Sequence, residues 1–421
     1  MTGYTAQTVR RTERESPDSR EAALNLLFLL IIFEFIIMQA LAYICNRIGL
    51  RAYNITVSRT VYYAAYAALA AYYLFSPGRR HSQKTAGHIF LLFGILLLSY
   101  AFVWLMHPEY LRYAWRTFSF VKLFVYFPTV VYFTAEIRDY KKTMEYVSRY
   151  AILLAVFLWL VCLFTLRAAE TDHNIEYGYY MAVLYCMSLY SAVCLGMRYN
   201  WVAVVGMALL VLMYGNRGSL LIVALYSLLL FFKLKLLEAR MGKKIAALLL
   251  IAAAAMLVFF TYTALLEALL KLVEALGGKG RSIRLLLSGD ISYTWNREIY
   301  HAYCTEQWPD MPLLGYGLLS DRYFCGGNYP HNIAIEMITQ FGFLVGGALL
   351  VFLLIRLVGA LRDPERVDIT LAVGTCAVTF MFLSSSYLMT TMFWALVGVL
   401  MHRSEKEKHR SPVAAEGKSH V

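Results

Sequence analysis

Three basic side chains in this sequence have the types and settings for phosphate chemistry. They are Arg217 in YGNRGSLLIVALY, Arg297 in SYTWNREIYHAY and His331 in GGNYPHNIAIEMITQFGFLVGG. An arginine carries a permanent charge and a planar fork of donors that matches phosphate oxygens in two-point contact. His331 lies between a glycine-rich polar turn and an apolar run, at the expected start of a helix. There the positive end of the helix dipole disfavours the imidazolium form. A neutral imidazole can take a proton from a sugar hydroxyl near neutral pH. The plainer reading of one such arginine is an anchor at the membrane interface. Two arginines and a histidine beside Gly and Asn point instead to a ligand that is partly charged and partly apolar.

Other residues could support or replace these three. Asn332 and Glu336 follow His331 and are candidates for positioning the site, while Arg281 and Arg284 could stand in for Arg297. Glu34 sits in the middle of an apolar block, LLIIFEFIIMQ, where an acid is either functional or paired with a neighbouring helix. Cys304 and Cys325 share one long loop, so a disulfide and simple burial both stand open. Glu298, His301 and His331 make only a weak metal pattern, no cysteine pair has zinc spacing, and no metal is expected. No Walker-type loop or dinucleotide fingerprint is present, and no cofactor is expected.

The elements that must position these residues follow from composition. Of 421 residues, 60% are hydrophobic and 16% charged. A soluble chain would carry roughly 25% charge. Apolar blocks fall at about 24–43, 58–76, 88–106, 118–135, 151–167, 178–196, 200–214, 218–232, 245–264, 332–355, 369–386 and 388–401. Most are of a length that crosses a bilayer. The expected fold is therefore an all-α polytopic membrane protein of about twelve transmembrane helices. Lys122 and Pro128 weaken the fourth block, and the last is short.

Basic residues cluster in alternate short connections and in both tails, which predicts cytoplasmic termini. The formal charge of +12 is thereby explained by topology, and no nucleic-acid partner is expected. Residues 1–22 read as a cytoplasmic tail, not a cleaved signal; 23–402 read as the membrane domain and 403–421 as a second cytoplasmic tail. Much of the tyrosine near span ends reads as an interfacial belt. One connection is long: 265–331, between spans nine and ten, on the outer side. Function concentrates on such loops. Within it, 264–276 has the spacing of an amphipathic surface helix, a second helix is expected from about Tyr293 to Gln307, and WPDMPLLGYG reads as a turn-rich return. Pro330 suits the first turn of the helix that follows.

A span opening with NRGSLL, then W-N-R and P-L-L-G-Y-G in a long outer loop, then P-H-N and a helix containing G-F-L-V-G-G, resembles the O-antigen ligase and polymerase family of bacterial envelope enzymes. The match covers mainly 200–355. The resemblance implies a GT-C-like bundle in the bacterial cytoplasmic (inner) membrane with its site on the extracytoplasmic side. It also implies metal-independent, inverting transfer of a glycan from a polyprenyl-diphosphate carrier to an acceptor glycan or lipid-glycan. Arg217 and Arg297 would hold the diphosphate and His331 would act as base. Membrane lipid and other polysaccharide-assembly proteins are the implied partners. NRG stands where many members have SRG, and Arg297 lies in a drifting loop. The first outer connection, CNRIGLRAYNITVS, lacks the acid that oligosaccharyltransferase-type and mannosyltransferase-type enzymes place there. The rival classes are a lipid-linked oligosaccharide flippase or polysaccharide transporter, and a non-catalytic envelope scaffold.

Overall fold

A computed structural model describes residues 19–76, 83–113, 120–161, 175–236, 242, 261–275, 280–288 and 297–402. Among them the secondary structure is entirely helical. Four helices are long and apolar enough to cross a membrane: Thr85–Met106, Tyr140–Leu160, Arg217–Leu234 and Ile333–Arg362. A fifth span forms if Ser19–Ile32 and Glu34–Arg47 are taken together, and three shorter helices, Asn200–Tyr214, Val367–Leu383 and Thr391–Met401, are also apolar. The chain is thus a polytopic helical membrane protein. The polar tails lie largely outside the described residues, as does most of the 245–264 block. The first helix begins at Ser19, inside the stretch read as tail, and Arg20 is buried with its guanidinium on the Tyr73 carbonyl at 2.9 Å.

The first apolar block is not one straight span. Ser19–Ile32 and Glu34–Arg47 meet at Phe33 with a bend of 77°. Tyr62 Oη donates to the Leu30 carbonyl at 3.0 Å, the acceptor that a straight helix would give to the Glu34 amide. A side chain inserted into the ladder is a recognised cause of a kink. The bend turns Glu34 toward a neighbouring helix, where its consequences appear below.

Tyrosine accounts for a second difference. Asn54–Phe75 and Ile175–Cys194 have spanning length, yet each carries five tyrosines. Several of these, Tyr62, Tyr66, Tyr73, Tyr179 and Tyr190 among them, are buried in the core instead of forming an interfacial belt. Their hydroxyls find partners there: Tyr66 meets Thr129 at 2.9 Å, and Tyr140, on the next helix but two, donates to the Thr134 carbonyl at 2.8 Å. A buried phenol needs such a partner, so these contacts fix the helices in register.

The tenth block is long and interrupted. Ile333–Arg362 counts 30 residues, about 45 Å at 1.5 Å per residue, against a hydrocarbon core of about 30 Å. Its first part, Ile333–Phe341, stops at Gly342, whose φ of +74° breaks the ladder before a π-turn and Gly347–Arg362. The loop segment before this helix fills the break. Tyr316 and Gly317 donate their amides to the Thr339 and Gln340 carbonyls at 3.1 and 2.8 Å. A Cβ on Gly315 would stand 2.5 Å from the Gln340 carbonyl oxygen, so only glycine allows this approach.

The rest of the loop also packs. The helix over 261–275 and the Arg281–Leu287 helix close around Met213, Val273 and Ile283. Arg297–Thr305 packs on Ile333–Phe341 and on Ser320–Phe324. Of the second loop helix expected over about 293–307, residues 293–296 lie outside the described residues, and it ends at Thr305, two residues before the expected end. Pro330 falls in the turn before the helix, which starts at Ile333 with Asn332 as its cap.

Two glycines test how the bundle is packed. Gly398, in Thr391–Met401, lies against Phe127–Glu136, and a Cβ there would be 2.7 Å from Thr134 Cβ and 2.8 Å from the Val131 carbonyl. Gly359, inside Gly347–Arg362, has open space at the same position. Gly359→Ala should raise thermal stability in detergent by up to about 1 kcal/mol through helix propensity. Gly398→Ala should lower it despite the same propensity gain.

Candidate active site

His331 takes φ +54°, a left-handed conformation that costs a residue with a Cβ about 1–2 kcal/mol. The turn Tyr329–Pro330–His331 therefore spends stability to point the imidazole where it is. Tyr329 lies against the ring with centroids 4.2 Å apart, and Tyr300 stands at 6.4 Å. Nδ1 is buried with no hydrogen-bond partner among the described residues. Burial pushes the His331 pKa down to about 4; the Ser384 backbone opposes this, and the charges of Arg297, His301 and Arg322 reinforce it. The imidazole is neutral at pH 7, as expected, but the leading cause is burial and nearby cations rather than a helix dipole.

Those cations locate the two predicted arginines. Arg297, at the start of Arg297–Thr305, is held below the ordinary arginine range by burial, with Tyr179 opposing and the charge of Arg217 adding to the depression. Arg217 is half-buried at the first position of Arg217–Phe231, where Asn216 caps the helix by accepting from the Ser219 amide at 2.8 Å. The neighbouring helix start is in direct backbone contact: a Cβ on Gly178 would lie 2.8 Å from Gly215 Cα, and one on Gly218 would meet the Tyr179 hydroxyl. Arg217, Arg297 and His331 thus come from distant parts of the chain to one place.

Ser384, the residue after Val367–Leu383, ties that place together. Tyr179 Oη and Ser384 Oγ are 2.5 Å apart, and Tyr329 Oη donates to the Ser384 carbonyl at 3.3 Å. Sequence reasoning missed Tyr179, Tyr329 and Ser384. Single hydroxyls in apolar or turn segments carry no spacing signal, so only the packing identifies them.

Beneath His331 lies a buried charge network that was also missed. Arg322 has no exposed surface; its guanidinium donates to Asp321, Glu336 and Ser386, and its carbon lies 5.3 Å from the Tyr329 ring centroid. Ser386 Oγ donates to Glu336, Gln340 donates to Asp321, and Tyr387 donates to Gln340, each at 2.5 Å. Glu336 is therefore a support for the loop and not a group facing substrate, since it too has no exposed surface. Asn332 is likewise structural, its side chain accepting from the Ala334 and Ile335 amides at 2.9 and 3.4 Å.

A cavity of about 730 Å³ opens beside His331, within the range of ligand-sized pockets. Tyr329, His331 and Ser384 line one part; Glu34, Gln39 and Lys122 line another. Glu34 receives Lys122 at 3.1 Å, Tyr63 at 3.1 Å and the Thr391 hydroxyl. The mid-block acid is thus both paired and cavity-facing, and its partner is the lysine that had weakened the fourth block. Arg284 lies elsewhere, exposed and bonded to Glu274 at 2.6 Å. The side chain of Arg281 is outside the described residues. Cys304 and Cys325 are both buried thiols with their sulfurs 3.6 Å apart. Among the described residues no three His, Cys, Asp or Glu side chains form a group that could hold a metal, and Glu298 is exposed.

The cavity is lined by His331, and the charges of Arg217 and Arg297 lie behind that lining, a setting that can attract an anionic group and accept a proton beside it. No family model, characterised protein or solved structure matches the chain.

The depressed His331 pKa has a stability consequence. Between about pH 6.5 and about 4 the unfolded chain takes a proton at His331 that the folded chain refuses. Stability contributed by this group is complete above pH 6.5 and declines as pH falls toward 4. Melting curves of the detergent-solubilised protein should show this decline, and His331→Gln should flatten it. The Glu34–Lys122 pair predicts non-additivity: Glu34→Gln or Lys122→Met alone should destabilise more than their combination implies, with a coupling of roughly 0.5–3 kcal/mol in a double-mutant cycle.

Proposed function

We propose that the chain is a membrane glycosyltransferase of the O-antigen ligase and polymerase type, using a polyprenyl-diphosphate-linked glycan as donor. The observation that supports this most is that the charge of Arg297 acts on His331 and that of Arg217 on Arg297, at the edge of an open cavity that His331 lines. In this reading the chain crosses the bacterial cytoplasmic membrane about twelve times. Both termini are cytoplasmic, and loop 265–331 lies outside with the site beneath it.

Arg217 and Arg297 grip the diphosphate and stabilise the charge that grows on it as the glycosidic bond breaks. The acceptor hydroxyl loses its proton to the His331 imidazole, and its oxygen bonds to the anomeric carbon on the face opposite the leaving group. Polyprenyl diphosphate departs with the electrons of the broken carbon–oxygen bond, and the configuration inverts. An imidazole with a pKa of about 4 is a weak base. The arriving diphosphate is an opposite charge that raises it toward the working pH, so base strength develops only when donor is bound. The acceptor is a second lipid-linked repeat or a lipid-glycan, which makes the enzyme a polymerase or a ligase.

One observation favours a second reading. The 77° break at Phe33, with Glu34 and Lys122 beside it, has the form of the discontinuous helices that line transporter sites. A flippase would move the lipid-linked glycan across the bilayer without cleaving it. Proteoliposomes loaded with a polyprenyl-diphosphate-linked oligosaccharide separate the two, assayed with and without chelator. The enzyme releases polyprenyl diphosphate in both cases. His331→Gly, which also relieves the left-handed strain, should lower release 10²–10⁴-fold while the protein melts no earlier than the parent. Arg297→Lys should lower it too, because an ammonium cannot make the two-point contact. Intact glycan appearing on the other leaflet without release would favour the transporter.

A further inference from the structure

We propose that Cys304 and Cys325 are joined as a disulfide when the protein folds, and that this bond clamps the Arg297 helix against the segment that carries His331. The inference rests on the extracytoplasmic placement of loop 265–331 in the preceding reading.

The two thiols are already neighbours. Their sulfurs are 3.6 Å apart, and a disulfide needs about 2.05 Å, so closure takes about 1.5 Å of side-chain movement. Cys304 lies in the last turn of Arg297–Thr305, two turns beyond Arg297, while Cys325 ends Ser320–Phe324. Three residues before Cys325 is Arg322, the buried cation beneath Tyr329 and His331. A bond between the sulfurs would therefore link the helix bearing one phosphate-binding arginine directly to the support of the imidazole. Besides this link, the Arg297 helix is held by packing on Ser320–Phe324 and Ile333–Phe341 and by Asn328, which donates to the Tyr300 hydroxyl at 2.8 Å.

The chemistry balances by thiol–disulfide exchange with a disulfide-donating oxidoreductase. One cysteine loses its proton and attacks a sulfur of the donor's disulfide, releasing one donor thiol. The second cysteine loses its proton and displaces the donor from the mixed disulfide. Two cysteine thiols are oxidised, one donor disulfide is reduced to two thiols, and the two protons end on the donor. Both sulfurs are buried in the folded protein, and the Cys325 hydrogen bond together with burial holds the Cys304 thiol well above the ordinary range. Exchange therefore belongs to folding, before the site closes, and the finished bond is then shielded from reductants.

A second cysteine pair supplies an internal control. Cys186 and Cys376 are 3.9 Å apart in the helical core, where no soluble donor reaches them. The full chain, purified without reductant and alkylated with N-ethylmaleimide in denaturant, should yield a cross-linked peptide containing Cys304 and Cys325, lighter by two hydrogens than the paired thiol peptides. Cys186 and Cys376 should be alkylated. Recovery of Cys304 and Cys325 as alkylated thiols overturns the proposal. In the release assay, dithiothreitol added before refolding into bilayers should lower the turnover of the parent several-fold and leave the Cys304→Ser/Cys325→Ser variant, already slow, unchanged. Equal turnover of parent and variant removes the clamping role even if the bond is found. Should no form of the protein release polyprenyl diphosphate, the glycosyltransferase reading fails while the peptide map still decides the bond.

Discussion

A guanidinium with no surface in water must be surrounded by acceptors, and Arg322 is such a group. Its partners come from three stretches of chain: Asp321 beside it, Glu336 in the long apolar helix, and Ser386 in the turn after Val367–Leu383. Removing Arg322 would leave the buried carboxyl groups of Asp321 and Glu336 without their cation, at about 3–5 kcal/mol. The network can therefore exist only if the loop, the helix and the turn are all in place. The same constraint sets the ring of Tyr329, which lies between Arg322 and His331, and so fixes the imidazole from below.

This arrangement explains why strain is affordable at His331. A left-handed histidine would relax in an isolated turn. Here the ring is packed by Tyr329, the next residue is committed to capping a helix, and Ser384 is engaged from both its hydroxyl and its carbonyl. The surroundings over-determine the conformation. Electrostatics adds a second bias, since burial first and then the nearby charges of Arg297 and Arg322 keep the imidazole neutral. Geometry and charge thus prepare the same side chain by independent means.

The membrane character of the chain and the nearness of Arg297 to Arg217 and His331 were legible because each rests on a local signal. Apolar blocks declare themselves by composition, and an arginine beside Asn and Gly at a block edge is conspicuous. The break at Phe33 was not legible: its cause is the hydroxyl of Tyr62, nearly thirty residues away, and no proline or glycine marks the spot. The core tyrosines resembled interface residues because a phenol suits both places, and only the packing decides. Arg322 and Asp321 were passed over as ordinary loop charges, since complete burial of an Arg–Asp dipeptide leaves no trace in spacing. Asn332 and Glu336 were noticed as positioning residues, but that one caps a helix and the other pairs with a buried arginine is visible only in the packing.

The joint at Gly342 bears on how such proteins can change over time. Amides of the loop close the carbonyls that the helix leaves open, and two glycines, one from each side, let the backbones meet. Loop and helix share a single hydrogen-bonded seam. A foreign loop grafted onto this bundle would lose that seam unless the stretch from Thr339 to Gly342 travelled with it. Diversification of what the protein recognises is therefore channelled toward the cavity walls, where residues can be exchanged one at a time, and away from wholesale replacement of the covering segment.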